Sequence, residues 1–179
     1  MTVINTPVPI LGFAAYSGTG KTTLLTKIIP LLKDKKIRLA VIKHAHHNFD
    51  VDHPGKDSFQ LRKSGADMML IASSKRWALM VENDINEAEP SLASLVERLD
   101  TSSLDLILVE GFKHESFPKI ELHRTAYNKD YLYPEDVSII AVATDGPLNL
   151  TNDDRKITQL DINNPSHIVA FICDNFLHR

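Results

Sequence analysis

The 179-residue sequence contains one cysteine, Cys173. A single thiol cannot close an internal disulfide, so a reducing, cytoplasmic setting is expected. Cys173 lies in an apolar helical run, where a buried and inert thiol is expected. An excess of positive charge is also missing: 20 Lys and Arg stand against 23 Asp and Glu, a net charge of −3. That excludes the basic footprint of a nucleic-acid binder, and the mixed signs read as solvated surface. No apolar run approaches the roughly 20 residues of a membrane-spanning helix. The apolar stretch near the N-terminus has no Lys or Arg before Lys21, so it is not expected to be a signal peptide. Repeats, low-complexity tracts and domain linkers are absent. What remains, at 43% hydrophobic residues, is one compact domain over residues 1–179 with enough apolar content for a real core.

What is present begins with Ala15-Tyr16-Ser17-Gly18-Thr19-Gly20-Lys21-Thr22-Thr23, between the apolar run Ile10–Ala14 and a helical segment from Thr22 to about Lys33. Strand, glycine-rich turn and Gly-Lys-Thr opening a helix form the phosphate-binding loop pattern. Gly18 and Gly20 let the backbone curl so that successive N–H groups, those of Ser17 and Thr19 included, face phosphate oxygens. The helix N-terminus adds unpaired donors at Thr22 and Thr23 and a partial positive charge. Lys21 reaches β- and γ-phosphates, and the Thr22 hydroxyl can hold Mg²⁺. Ala15 replaces the first glycine of the pattern G-x-x-x-x-G-K-S/T, which an alanine tolerates if its φ stays negative.

Downstream, Leu24, Leu25, Ile28, Ile29, Leu31 and Leu32 give the first helix its apolar face, and Pro30 predicts a kink or an early end. Ile37–Ile42 reads as a parallel strand buried on both faces. A helix over 57–63 closed by Gly65 precedes two apolar runs, Met68–Ala72 and Trp77–Val81, spaced as a β-hairpin or two successive strands, Ser-Lys being a poor tight-turn signature. Pro90 opens an amphipathic helix with Leu92, Leu95, Val96 and Leu99. Leu104–Val109 is a strand leading into Glu110-Gly111, and Lys119–Arg124 alternates like a half-exposed strand. Ser138–Ala143 and Ile157–Leu160 complete the strands, and Asn164-Pro165 caps a C-terminal helix. The alternation specifies an α/β fold of the P-loop NTPase type, a mainly parallel sheet flanked by helices with an antiparallel hairpin extension.

Ligands of such sheets sit at the carboxyl ends of the strands. Glu110 stands where a Walker-B-type acid holds Mg²⁺ directly or through water, while Asp105 opens the same strand and is at the wrong end. Asp50, Asp52 and Asp57 are placed to approach the metal, and Lys43, Lys56 and Arg62 to neutralise phosphate. His44, His46, His47 and His53 invite a transition-metal reading, against which stand the missing cysteine partners and a spacing that fits no zinc pattern. Asp145 closes a late strand where a carboxylate can accept guanine N1–H and N2–H₂, with Asn149 as a substitute; it can equally cap the Asp-Gly-Pro turn. From the residues alone this is a Mg²⁺-dependent nucleotide binder, with a small-molecule kinase and a metallochaperone GTPase both open.

The segments AAYSGTGKTTLL, IKHAHHNFDVDHPGKDSFQLRKSGA, SSKRWALMVE, TSSLDLILVEGFKHE and AVATDGPLNL together closely resemble the MobB family, the molybdopterin-guanine dinucleotide biosynthesis adapter proteins. The resemblance runs from the first strand to about residue 150; residues 125–137 and the C-terminal helix carry no matching motif. It implies a GTP-binding partner of the guanylyltransferase that attaches GMP to molybdopterin, with molybdopterin itself a further candidate ligand. It also implies weak intrinsic GTP hydrolysis with Lys21 and Glu110 at its centre, and a homodimer.

Overall fold

Apolar runs become most of the central strands, and amphipathic segments become the helices laid on them. The computed structural model describes residues 4–45, 49–83, 89–148, 155 and 157–177. In chain order the elements are β1 (Ile10–Ala14), α1 (Lys21–Asp34), β2 (Leu39–Lys43), α2 (Asp57–Lys63), β3 (Met68–Ala72), β4 (Trp77–Val81) and α3 (Leu92–Val96). They continue with β5 (Leu106–Glu110), β6 (Lys119–His123), β7 (Ile139–Thr144), β8 (Thr158–Asp161) and α4 (Pro165–Phe176). The chain divides into two compact units, residues 1–44 with 91–179, and residues 45–90.

The larger unit is built on a six-stranded sheet in the order β2-β5-β1-β6-β7-β8, with every pair parallel. Leu24, Ile28 and Leu32 of α1 and Ile168 and Ile172 of α4 pack on one face against Leu11, Leu108, Ile120 and Leu122. Leu92 and Val96 of α3 cover the other face over Ile10, Ile107 and Val109. Because β5 lies between β1 and β2, the crossover through α1 places the phosphate loop beside the end of β5. The sequence order alone does not show that adjacency.

Four expectations change. The helix α1 runs through Pro30 to Asp34, close to the extent expected, so of the kink or early end at Pro30 the early end does not occur, because one lost backbone bond weighs less than the burial of Ile28 and Leu32. The second strand starts at Leu39 and forms the sheet margin, so Val41 is exposed and only Ile42 is buried. The alternating segment Lys119–His123 is buried at all five positions, since β6 runs between β1 and β7. Cys173 is half-buried rather than buried, packed at the rim of the core.

Burying β6 requires partners for its charges. Lys119 Nζ donates to Glu115 O at 2.7 Å, Ser138 Oγ at 2.8 Å and Asp136 Oδ2 at 3.0 Å. Glu121 accepts from Leu132 N and Tyr133 N, each at 2.8 Å. His123 Nε2 meets Lys129 O at 2.8 Å, and its ring stacks on Tyr131. Residues 129–138 thus close over the strand. Burial pushes the Glu121 carboxyl upward, with the two N–H donors pulling the other way.

The smaller unit is α2 and the antiparallel β3–β4 hairpin, in the register Met68↔Val81 to Ala72↔Trp77. Its turn lacks glycine, and Ser73 supplies the missing chemistry. Ser73 N donates to Arg76 O at 2.8 Å, while Ser73 Oγ accepts from Lys75 N and Arg76 N. Register places Met68, Leu70, Trp77 and Leu79 on one face, and all four are exposed.

Candidate nucleotide site

The phosphate loop occupies residues 15–20 between β1 and α1. Gly18 has φ +83° and Gly20 φ +97°, the left-handed region in which side chains are strained. A Cβ at either would meet nothing within 4 Å, so glycine is needed there for backbone shape alone. Ala15 is not among the positive-φ residues, which satisfies the condition for replacing glycine. Thr19 is buried and closes the turn, its hydroxyl and its N–H both donating to Tyr16 O, at 2.8 and 3.3 Å, so this N–H is turned into the loop rather than toward phosphate as expected. No side chain caps α1, so its first N–H groups remain available to an anion.

The end of β5 meets this loop. Glu110 pairs in register with Phe13 of β1 and Lys43 of β2. Its carboxylate lies 3.9 Å from Lys21 Nζ and 3.5 Å from Lys43 Nζ. Gly111 has φ +101°, and a Cβ there would stand 2.5 Å from His44 Cβ. Glycine therefore lets the ends of β2 and β5 close, sealed by His44 N donating to Glu110 O at 2.8 Å and by His44 against Phe112. Thr22 and Glu110 are hard oxygen donors, too few for an all-protein cage. They fit Mg²⁺, which keeps waters and takes phosphate oxygens beside one or two protein ligands.

Asp50 and Asp52 belong to the smaller unit, where both are held by Arg62 at 2.6 and 2.7 Å; Glu82 adds a third contact at 2.8 Å. The Arg62 bond holds the Asp52 carboxyl below its ordinary range. Arg62 is therefore neutralised by three carboxylates and serves the smaller unit's own packing, a correction to its expected use on phosphate. His46, His47 and Asn149 lie outside the described residues, and among those described no three His, Cys, Asp or Glu groups cluster as a metal site. Asp105 bonds Arg38 at the opposite strand end, as expected.

Across the sheet from Glu110, the ends of β7 and β8 border an open, shallow cleft of about 650 Å³ lined by Asp145, Gly146, Gln159, Asp161, Asn163 and His167. Asp145 follows β7. Its Oδ1 accepts from Thr125 N at 2.9 Å and Thr125 Oγ1 at 3.1 Å, and its Oδ2 from Arg124 Nη1 at 3.1 Å. The Thr125 N–H, first among these, holds the carboxyl below its ordinary range. Asp161 accepts one bond, from Asn163 N at 2.8 Å. Sequence reasoning missed Asp161, Arg124 and Tyr127; nothing in their local pattern marks them, because only the parallel strand order carries them to this edge.

The family model for molybdopterin guanine dinucleotide synthesis protein B matches residues 10–145. The molybdopterin-guanine dinucleotide biosynthesis adapter protein of Escherichia coli K12 is 51% identical, over 95% of this chain and 94% of that one. The protein of the same name from Haemophilus influenzae is 46% identical, over 98% and 93%. A crystal structure of molybdopterin-guanine biosynthesis protein B superposes with TM-score 0.67 and 27% identity, over 92% of this chain and 98% of that one.

Proposed function

This chain belongs to the MobB family, matched over residues 10–145, and from that premise we propose that it is a GTP-binding adapter in molybdopterin guanine dinucleotide biosynthesis. It assists the guanylyltransferase that attaches GMP to molybdopterin, and hydrolyses GTP weakly at most. Residues 1–179 work as one nucleotide-binding module, in the cytoplasm. The observation carrying this reading is the meeting of the glycine-shaped loop, Lys21 and Glu110 at one sheet edge.

Ser17, Gly18 and Gly20 to Thr23 bind the phosphates through backbone N–H groups while Thr19 shapes the loop through Tyr16 O, Lys21 supplies a point charge, and Thr22 and Glu110 are the residues that would hold Mg²⁺. The ion, when bound, shields the β- and γ-phosphate charge. With the ion bound, Glu110 would face the metal in place of its two ammonium neighbours, and Lys21 would be free to face phosphate.

Glu110 lies on the β5 side of the loop, so the base extends the other way. There β7 is two strand spacings from β1, about 10 Å, a span that the ribose and α-phosphate bridge. A carboxylate offers about four lone-pair sites. Three are in use at Asp145 and one at Asp161. We assign the two-bond contact with guanine to Asp161, and to Asp145 its one open site and the bracing of Arg124 and Thr125.

Titration with fluorescent GTP and ATP analogues in Mg²⁺, together with recovery of the guanylyltransferase on the immobilised protein, tests this. GTP is preferred about tenfold, because ATP leaves the exposed Asp161 carboxylate without its two donors, a loss the size of one charge-assisted hydrogen bond, and the enzyme is retained. Equal GTP and ATP affinity overturns the guanine assignment, and no retention overturns the adapter role.

A further inference from the structure

Residues 125–137 carry no recognisable motif, yet they reach the phosphate loop. Thr125, Ala126 and Tyr127 form one 3₁₀ turn directly after β6, which runs alongside β1 with Ala14 opposite Glu121. Tyr127 N donates to Arg124 O and Asn128 N to Thr125 O, each at 3.1 Å, and Asn128 at φ +46° reverses the chain. A three-residue turn does not hold itself. Here Asp145 holds it, through the Thr125 N–H, the Thr125 hydroxyl and Arg124. Gly146 leaves room for that seat: a Cβ on it would stand 2.4 Å from Thr125 Cγ2.

At the other end of the turn, Tyr127 Oη donates to Gly18 O at 3.0 Å, across 109 residues of sequence. Gly18 is in the left-handed region, and no side chain of its own limits rotation of the peptide it forms with Thr19. For a phosphate loop to work, its carbonyls point outward and its N–H groups inward. The Tyr127 hydroxyl takes up the Gly18 carbonyl, while the N–H of the same peptide, that of Thr19, donates to Tyr16 O at 3.3 Å.

We propose that Tyr127 is a positioning residue of the nucleotide site: its hydroxyl at Gly18 O and the Thr19 N–H at Tyr16 O hold the Gly18–Thr19 peptide from both ends, so that the N–H groups that follow, from Gly20 to Thr22, face the β-phosphate, and Asp145 braces Tyr127 through Thr125. The proposal rests on the nucleotide-binding reading above, and it assigns Asp145 a task at the phosphates as well as beside the base.

Tyr127→Phe keeps the half-exposed ring and removes only the donor. Its affinities for GTP and GDP fall about three- to tenfold, the size of one neutral hydrogen bond. Affinity for GMP, which lacks the β-phosphate, and the melting temperature of the nucleotide-free protein stay unchanged. Thr125→Val, which removes one of the bonds to Asp145, lowers GDP affinity in the same direction, and the double variant loses less than the sum of the singles. Unchanged GDP affinity in Tyr127→Phe overturns the proposal, and so does an equal loss for GMP, which would mean that the phenol contacts the nucleoside. Lys21→Ala, measured alongside, separates the failures: if it too leaves GDP affinity unchanged, the nucleotide-binding reading itself has failed.

Discussion

Lys21 Nζ lies 3.9 Å from Glu110 Oε1, so the two charges expected to handle phosphate and metal hold each other before any ligand arrives. In the proposed site, phosphate would compete with Glu110 for the ammonium, and Mg²⁺ with Lys21 and Lys43 for the carboxylate. Lys21→Ala lowers GTP affinity about ten- to a hundredfold, the loss of one charge-assisted contact. Calorimetric titration measures it, and equal affinity in a folded variant would remove the phosphate-loop assignment.

Glu110→Gln keeps the shape and deletes the charge. GTP hydrolysis falls by more than nucleotide binding does, and half-saturation for Mg²⁺ moves to higher concentration. Single-turnover assays over a Mg²⁺ series separate the two. Turnover that survives unchanged transfers the metal role to Asp50 or Asp52.

Base choice is read by comparing Asp161→Asn with Asp145→Asn. The amide at 161 weakens GTP and improves xanthosine triphosphate, because xanthine presents a carbonyl at C2. At 145 the amide weakens both nucleotides, since it loosens Thr125 and Arg124. A reversed pattern in competition binding returns base recognition to Asp145.

Glu121 is fully buried and accepts two backbone N–H groups. Glu121→Gln turns one acceptor into a donor facing the N–H of Leu132 or Tyr133, at a cost of about 1–3 kcal/mol. Because its folded pKa is raised, the folded state holds this proton more tightly than the unfolded chain does. Its contribution to stability therefore declines as pH rises from the ordinary glutamate range to the folded value. The wild type's advantage over the glutamine variant is greatest in acid and narrows upward, which urea midpoints across pH record. A constant difference contradicts the assignment.

The exposed face of Met68, Leu70, Trp77 and Leu79 is an apolar surface on a two-stranded hairpin. Edge strands and such faces favour pairing with another chain. Sedimentation at micromolar concentration gives a dimer, and Trp77→Glu converts it to monomer. A monomeric wild type removes the dimer, and a dimeric variant moves its interface elsewhere.

The phosphate loop could be read from residues 15–23 alone because its chemistry is local: two glycines at positive φ, a lysine and a hydroxyl at a helix start. The hairpin, the cap at Asn164 and the class of the fold were likewise set by periodicity and by turn and cap residues. Strand order was not, since it depends on crossovers that no window of sequence contains. It made the expected two-sided strand β2 a margin, and it enclosed the alternating charges of β6. It brought Glu110 to Lys21 from 89 residues away and Tyr127 to Gly18 from 109. Alternation of charged and apolar residues reports solvent only when one face of a strand is open. In β6 the second face is closed by residues 129–138, whose backbone donors and acceptors are supplied from outside the strand itself. Long-range polar partners of that kind exist only once the chain has folded, which is why tertiary structure alone decided which carboxylates hold the protein together and which are open to a ligand.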